Sequence, residues 1–253
     1  MCENCGCEKK EFEKESEENI SIEINKSLTQ ANDLLAQDIA NFLKKKRIIA
    51  INIMGAPGSG KTSFIEGLAK FISPMEMVVI EGDLESDVDK KRLQASGIDA
   101  IQINTHSGCH LNAMMVNSAL RELNLTGKKY LFIENVGNLV CPAGVKVGAH
   151  INILISSTPE GADKPKKYPY IFMDTSMAVV TKSDLKELVN FQEEEYLKDI
   201  KKINSKVLIT HTATKDPQTF RRAAEFIIHE RHHLVGHEHH HEANHHNHNS
   251  YHH

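Results

Sequence analysis

Apolar positions divide the chain into three unequal stretches. Cys7 to Ser21 is crowded with Glu and Lys and has few apolar residues, the composition of a tether that cannot bury a core of its own. From Ser27 to about Lys46, Leu28, Ala31, Leu34, Leu35, Ile39, Phe42 and Leu43 recur at helical spacing. That spacing predicts an amphipathic helix with one buried face. The period then changes. RIIAINIM (47–54) is a short β-rich run ending at Gly55, and a helical pattern follows from Lys61 to Phe71. Further strands are expected at 76–82, 99–104, 129–135, 150–157, 176–181 and 206–210. Helices are expected over 85–96, from Leu111, over 184–203 and from Asp216. After Arg231 the apolar pattern collapses into His, Asn and Glu.

Strands that are apolar throughout, alternating with helices, predict an α/β fold with a mostly parallel sheet and helices on both faces. The expected division is a tether at 1–26, one α/β domain at 27–231 and a histidine-rich tail without fixed structure at 232–253. A chain of 253 residues suits one such domain with tails.

Charge narrows the choice of partner. Against 34 acidic residues there are 30 basic ones, and the basic runs (44–47; Lys164, Lys166, Lys167) are short enough to be solvated faces. No nucleic-acid partner is expected. No stretch is long and apolar enough to cross a bilayer, and no signal peptide follows Met1. The expectation is a cytoplasmic protein with no membrane contact. Its five cysteines would stay reduced there and act as metal ligands or catalytic groups rather than as a disulfide framework.

GAPGSGKT, Gly55 to Thr62, matches G-x-x-x-x-G-K-[ST] after a predicted strand and at the start of a predicted helix. Glycines let successive backbone N–H groups point at phosphates, and the helix N-terminus adds positive potential. Gly55, Gly58, Ser59, Gly60, Lys61, Thr62 and Ser63 form the expected phosphate-binding set. Lys61 should reach the β- and γ-phosphates and Thr62 should hold Mg²⁺. Asp83 and Glu134, each at the carboxyl end of a predicted strand, are the acidic partners expected for that cation, and Lys61 and Asp83 are the expected catalytic pair. Guanine-selecting P-loop proteins carry N-K-x-D after a later strand; here TKSD puts Lys182 and Asp184 in place, with Thr181 where Asn would stand. GTP is therefore expected over ATP. No Gln is placed near Gly137 to orient water, so intrinsic hydrolysis should be slow.

The cysteines fall in two groups. Cys109-His110 and Cys141 sit on two predicted loops, Cys141 shortly after Gly137, which is placed like the glycine of a nucleotide switch. Two thiols and an imidazole suit Ni²⁺ or Zn²⁺; the alternative is that both cysteines are small buried hydrophobes. Cys2, Cys5 and Cys7 stand in C-x-x-C-x-C on the polar tether, where no core can take them. Three thiolates with the chain-terminal amine would suit square-planar Ni²⁺ or Cu²⁺ better than tetrahedral Zn²⁺. His229, His232, His233, His237, His239 to His241, His245, His246, His248, His252 and His253 form a histidine tract, read as many weak imidazole sites.

Taken together, these segments resemble the HypB family of hydrogenase nickel-incorporation GTPases. The resemblance rests on GAPGSGKT, the pattern Gly82, Asp83, Ser86, Asp89 and Arg92, SGCHLNA, ENVGNLVCP, EGADKPKKYPYIF and the K-x-D region, across residues 28–210. The N-terminal C-x-x-C-G-C element matches Cys2, Cys5, Gly6 and Cys7. The resemblance implies a P-loop GTPase of the SIMIBI class that delivers Ni²⁺ to the large subunit of [NiFe]-hydrogenase together with a HypA-type metallochaperone. It implies a tight nickel site at Cys2, Cys5 and Cys7, a second Ni/Zn site at Cys109, His110 and Cys141 coupled to nucleotide state, and a GTP-dependent homodimer. The chain departs from the family pattern at Thr181, at Thr210–Asp216, and in carrying its histidines at the C-terminus. A nickel storage protein with a vestigial GTPase is the alternative reading. A urease-type nickel GTPase is a third, against which ENVGNLVCP and the N-terminal cysteines argue.

Overall fold

The computed structural model describes residues 27–83, 88–105 and 108–236, without the side chain of Asp83. Cys2, Cys5, Cys7, Ser86 and the histidines from His237 onward lie outside the described residues.

Helix α1 covers 27–45. It leads into β1 (Ile49–Gly55), which the phosphate-binding loop joins to α2 (Lys61–Leu68). Then follow β2 (Met77–Asp83), α3 (Val88–Ala95), β3 (Asp99–Asn104), α4 (Ala113–Glu122), β4 (Tyr130–Glu134) and β5 (Ile151–Ser157). Two short helices, α5 (Lys164–Lys167) and α6 (Pro169–Met173), precede β6 (Met177–Thr181), α7 (Glu193–Ile203), β7 (Leu208–His211) and α8 (Arg221–Gly236). The seven strands form one sheet in the order β3-β2-β4-β1-β5-β6-β7, every pair parallel.

Period-two alternation sends neighbouring strand residues to opposite faces of the sheet, and apolar residues fill both. Ile49, Ile51 and Ile53 of β1 and Tyr130 and Phe132 of β4 pack with α2 and α8 on one face. Ala50, Leu131 and Ile133 point the other way, against α1 and α4. On β5 and β6, Leu154, Ala178 and Val180 meet α6 and α7. Cover on both faces buries the central strands and leaves solvent only towards the edges, where Asp99 and Asn104 of β3 are exposed, so the expected mostly parallel sheet between helices is what forms.

Two expected elements differ. The helix read over 184–203 is instead a 3₁₀ turn, Ser183–Leu185, and the shorter α7. Asn190 adopts φ 49° and so breaks the run. This lets Phe191 turn inward, its ring 5.3 Å from that of Tyr196. At the other end α8 continues to Gly236 and buries Val235, beyond the boundary read at Arg231. His229, His232 and His233 therefore lie on an ordered helix rather than in a tail. Among the described residues no helix is long and apolar enough to cross a membrane.

Candidate functional site

β1 runs between β4 and β5, and the winding of the chain changes sides there. In open α/β sheets that crevice, at the carboxyl ends of the strands, is where ligands bind. Gly60, at the mouth of α2, holds φ 95°, a conformation that costs a side-chain-bearing residue energy but not glycine. The first turn of α2 then presents Lys61 and Thr62, both buried. Lys61 Nζ rests 3.5 Å from the Ala56 carbonyl.

The register of β1 against β4 pairs Ile53 with Glu134, which brings Glu134 beside α2. The Thr62 hydroxyl donates to Glu134 Oε1 at 2.9 Å. Among the described residues, the buried Glu134 Oε2 has no hydrogen-bond partner. Burial pushes the Glu134 carboxyl up to about 7, against the opposing pull of Lys61 and the Thr62 hydrogen bond. A buried, half-satisfied carboxylate beside a hydroxyl is an oxygen donor set that fits a hard cation such as Mg²⁺. Asp83 ends β2, and its backbone pairs with Asn104. The Asp89 and Arg92 pattern acts as a brace: Arg92 donates to Asp89 at 2.9 Å, to Ser63 at 3.2 Å and to Glu66 at 2.7 Å, holding α3 against α2.

On the opposite side, the loop after β6 closes over the phosphate-binding loop. The Thr181 hydroxyl donates to the Ser59 carbonyl at 2.5 Å, and Lys182 Nζ to the Gly58 carbonyl at 2.9 Å. Thr181 thus fastens the phosphate-binding loop. Asp184 lies in the adjacent 3₁₀ turn, its carboxylate 3.4 Å from Lys215 Nζ. The segment Thr210–Asp216 packs against the same turn, with Ser183 N–H donating to the Thr212 carbonyl at 3.1 Å. A cleft of about 150 Å³ opens there, lined by Gly60, Phe64, Thr181, Lys182, Thr212 and Phe220 among others. It lies against the phosphate-binding loop at Gly60.

Cys109, His110 and Cys141 converge as expected: one donor atom from each lies within 4.8 Å of the others. Cys109 Sγ is 3.5 Å from His110 Nδ1. The two cysteines, 32 residues apart, stand paired as a disulfide with their Cα atoms 6.0 Å apart. This corrects the expectation of two free thiols; the loops bring the pair inside the Cα separation at which a disulfide closes. Thiolates, not disulfide sulfurs, ligate metals, so this trio holds a cation only when reduced. Neither cysteine is a fully buried hydrophobe.

Three asparagines that the sequence reading left unassigned hold these two loops. Asn138 pairs with Gly55 in an antiparallel bridge, its N–H donating to the Gly55 carbonyl at 3.1 Å. The Asn138 side-chain oxygen accepts from Val140 N–H at 2.8 Å and Cys141 N–H at 3.3 Å. Asn135, next to Glu134, accepts from Leu111 N–H at 2.9 Å, and Leu111 follows His110. Asn32 of α1 accepts from Ala113 N–H and donates to the Lys146 carbonyl, both at 2.9 Å. Gly137 packs against the phosphate-binding loop so closely that a Cβ there would stand 2.9 Å from Pro57 Cγ. The one legible signal was Asn52, a polar residue inside the apolar run IAINIMG, which accepts from Asn135 Nδ2 at 3.2 Å.

Comparison with known proteins places this geometry among relatives. Residues 49–211 match the family described as CobW/HypB/UreG, nucleotide-binding domain. The hydrogenase/urease maturation factor HypB of Helicobacter hepaticus is 40% identical over 215 residues, 83% of this chain and 88% of that protein. The crystal structure of HypB from Helicobacter pylori in complex with nickel superposes with a TM-score of 0.78 at 35% identity, over 81% of this chain and 97% of that one. HypB from Archaeoglobus fulgidus superposes with a TM-score of 0.74 at 33% identity, covering 80% and 99%.

Proposed function

The chain belongs to the HypB branch of the CobW/HypB/UreG nucleotide-binding family, and from that premise we propose that it is a GTP-hydrolysing nickel metallochaperone. Nickel is its cargo, and the acceptor is the large subunit of [NiFe]-hydrogenase. A HypA-type metallochaperone is the partner that goes with this reading, as do a GTP-dependent homodimer and a cytoplasmic place of action.

One observation carries the proposal. Both loops of the Cys109/His110/Cys141 trio are fastened to residues of the phosphate-binding site, Cys141 through Asn138 to Gly55 and His110 through Leu111 to Asn135 beside Glu134. A ligand that moves Gly55 or Glu134 therefore moves the metal donors, which is how nucleotide state would alter metal affinity. Thr62, Glu134 and Asp83 are the residues that would hold Mg²⁺, which supplies positive charge to the phosphates when bound. Lys61 is the side chain that would meet the phosphates, while Lys182 and Asp184 would choose guanine. Cys2, Cys5 and Cys7 would be the tighter nickel holder, and Zn²⁺ is the competing occupant of the internal trio.

The Helicobacter hepaticus relative is named a hydrogenase/urease maturation factor, which favours urease as a second acceptor. In cells lacking their own copy, Lys61→Ala should leave hydrogenase without nickel although the variant accumulates folded. Undiminished hydrogenase activity would instead support nickel storage with a vestigial GTPase.

A further inference from the structure

His229-Glu230-Arg231-His232-His233 is a five-residue H-E-x-x-H sequence, and α8 presents its first and last histidines on one exposed face. The two Nε2 atoms stand 3.0 Å apart, and the ring centroids 4.3 Å apart. Helix geometry makes residues four apart neighbours, but it does not by itself aim the same nitrogen of each ring at one point. Imidazole nitrogens bind a divalent ion at about 2.0–2.1 Å, so two ligands at a right angle lie about 3 Å from each other. The observed separation is that of a two-pronged chelate.

Two further observations bear on the pair. Glu230 Oε1 lies 3.4 Å from His229 Nδ1. A carboxylate there draws the ring proton to Nδ1 and leaves the Nε2 lone pair facing His233, the arrangement that orients metal-binding histidines. The helix is also fixed on both sides of the pair. Ile227 and Val235 are buried, Arg231 donates to the Arg47 carbonyl at 3.1 Å, and its guanidinium lies 5.7 Å from the Tyr130 ring centre. The two imidazoles therefore start from an anchored backbone.

We propose that His229 and His233 form a divalent-metal site on α8, separate from the cysteine site, for a late first-row cation such as Ni²⁺ or Cu²⁺. Imidazole pairs suit these ions. Water supplies the remaining ligands, because the face is open to solvent. On binding, the cation takes the place of the proton between the two Nε2 atoms, and His233 carries its proton on Nδ1 instead, so both rings ligate as neutral imidazoles. The same spacing occurs in zinc peptidases. Here Glu230 faces its own neighbour His229, so the helix carries a chelate and not a hydrolytic centre. The site stands independently of the nucleotide-linked reading above.

Amide hydrogen exchange along α8 tests it in the intact, reduced chain, titrated with Ni²⁺ and separately with Cu²⁺. A cation clamping positions 229 and 233 should slow exchange in that turn about tenfold when its free concentration is ten times the dissociation constant. His229→Ala and His233→Ala should each abolish the slowing; both positions are exposed, so neither change endangers the fold. Exchange in α8 that is unchanged by both metals overturns the site. So does slowing that persists in both variants.

Discussion

The side-chain oxygen of Asn135 holds the backbone N–H of Leu111 at 2.9 Å, so the residue after Glu134 grips the residue after His110. Replacing Asn135 with Ala frees that N–H and also ends the contact with Asn52. Replacing Asn52 with Ala ends the Asn52 contact but leaves Leu111 held. Each change should cost about 1–3 kcal/mol of stability, the penalty for orphaning buried polar groups. Only Asn135→Ala should also weaken nickel binding at the reduced Cys109/His110/Cys141 trio, by roughly tenfold for about 1.4 kcal/mol of lost positioning. Chemical denaturation and metal titration of the two variants separate these effects.

Asn32 of α1 ties the start of α4, which follows Cys109-His110, to the segment beyond Cys141, one hydrogen bond reaching Ala113 and the other Lys146. Asn32→Asp keeps an acceptor for Ala113 N–H but has nothing to donate to the Lys146 carbonyl, whereas Asn32→Ala loses both bonds. Nickel affinity at the trio should therefore fall in the order parent, Asp, Ala. The bond to Lys146 is exposed and the one from Ala113 part-buried, so stability should drop by about 0.5–1.5 kcal/mol per bond. Isothermal titration of the three proteins reads the order directly.

Glu134 gives the nucleotide-free protein a pH signature. Burial raises its carboxyl from 4.5 to about 7, so the folded chain keeps a proton that the unfolded chain has already released. Stability from this group is complete below about 4.5 and falls as pH climbs towards about 7, because the folded state binds more protons across that window. The total is on the order of 3 kcal/mol. Urea unfolding at pH 5 and 7.5, without Mg²⁺ or nucleotide, should show the parent losing stability relative to Glu134→Gln as pH rises. A constant difference between the two would show that Glu134 ionises normally.

Thr181 stands where the family pattern has Asn, and its hydroxyl reaches the Ser59 carbonyl. Thr181→Val keeps the shape but removes that donor. The phosphate-binding loop should loosen and nucleotide affinity should fall several-fold, for about 1 kcal/mol of lost hydrogen bond. Nickel affinity in the absence of nucleotide should not change. Fluorescent-nucleotide titration checks the first statement and metal titration the second.

The sheet was legible because its central strands are apolar at most positions on both of their faces, which burial on both faces demands. The phosphate-binding loop was legible because seven neighbouring residues carry its chemistry. The metal trio was legible as two loops but not as a closed pair: no spacing reveals that Cys109 and Cys141 come to a Cα separation of 6.0 Å. Asn32, Asn135 and Asn138 stayed hidden because their partners are backbone groups, which leave no mark on the sequence. The helix read over 184–203 failed at Asn190, where one left-handed residue outweighed a periodic pattern on either side. His229 and His233 were read as part of a tract because histidine composition masked the helical burial of Ile227 and Val235 around them.

The central claim is that nucleotide and nickel are linked through Gly55–Asn138–Cys141 and Glu134–Asn135–Leu111. Its most direct test is nickel titration of the reduced chain carrying Cys2→Ser, Cys5→Ser and Cys7→Ser, saturated first with GDP and then with a non-hydrolysable GTP analogue. Coupling between two sites in one domain is typically worth 1–3 kcal/mol, so the two dissociation constants should differ by roughly 5- to 150-fold, a difference that Cys141→Ser removes. Equal affinities in the two nucleotide states would contradict the account.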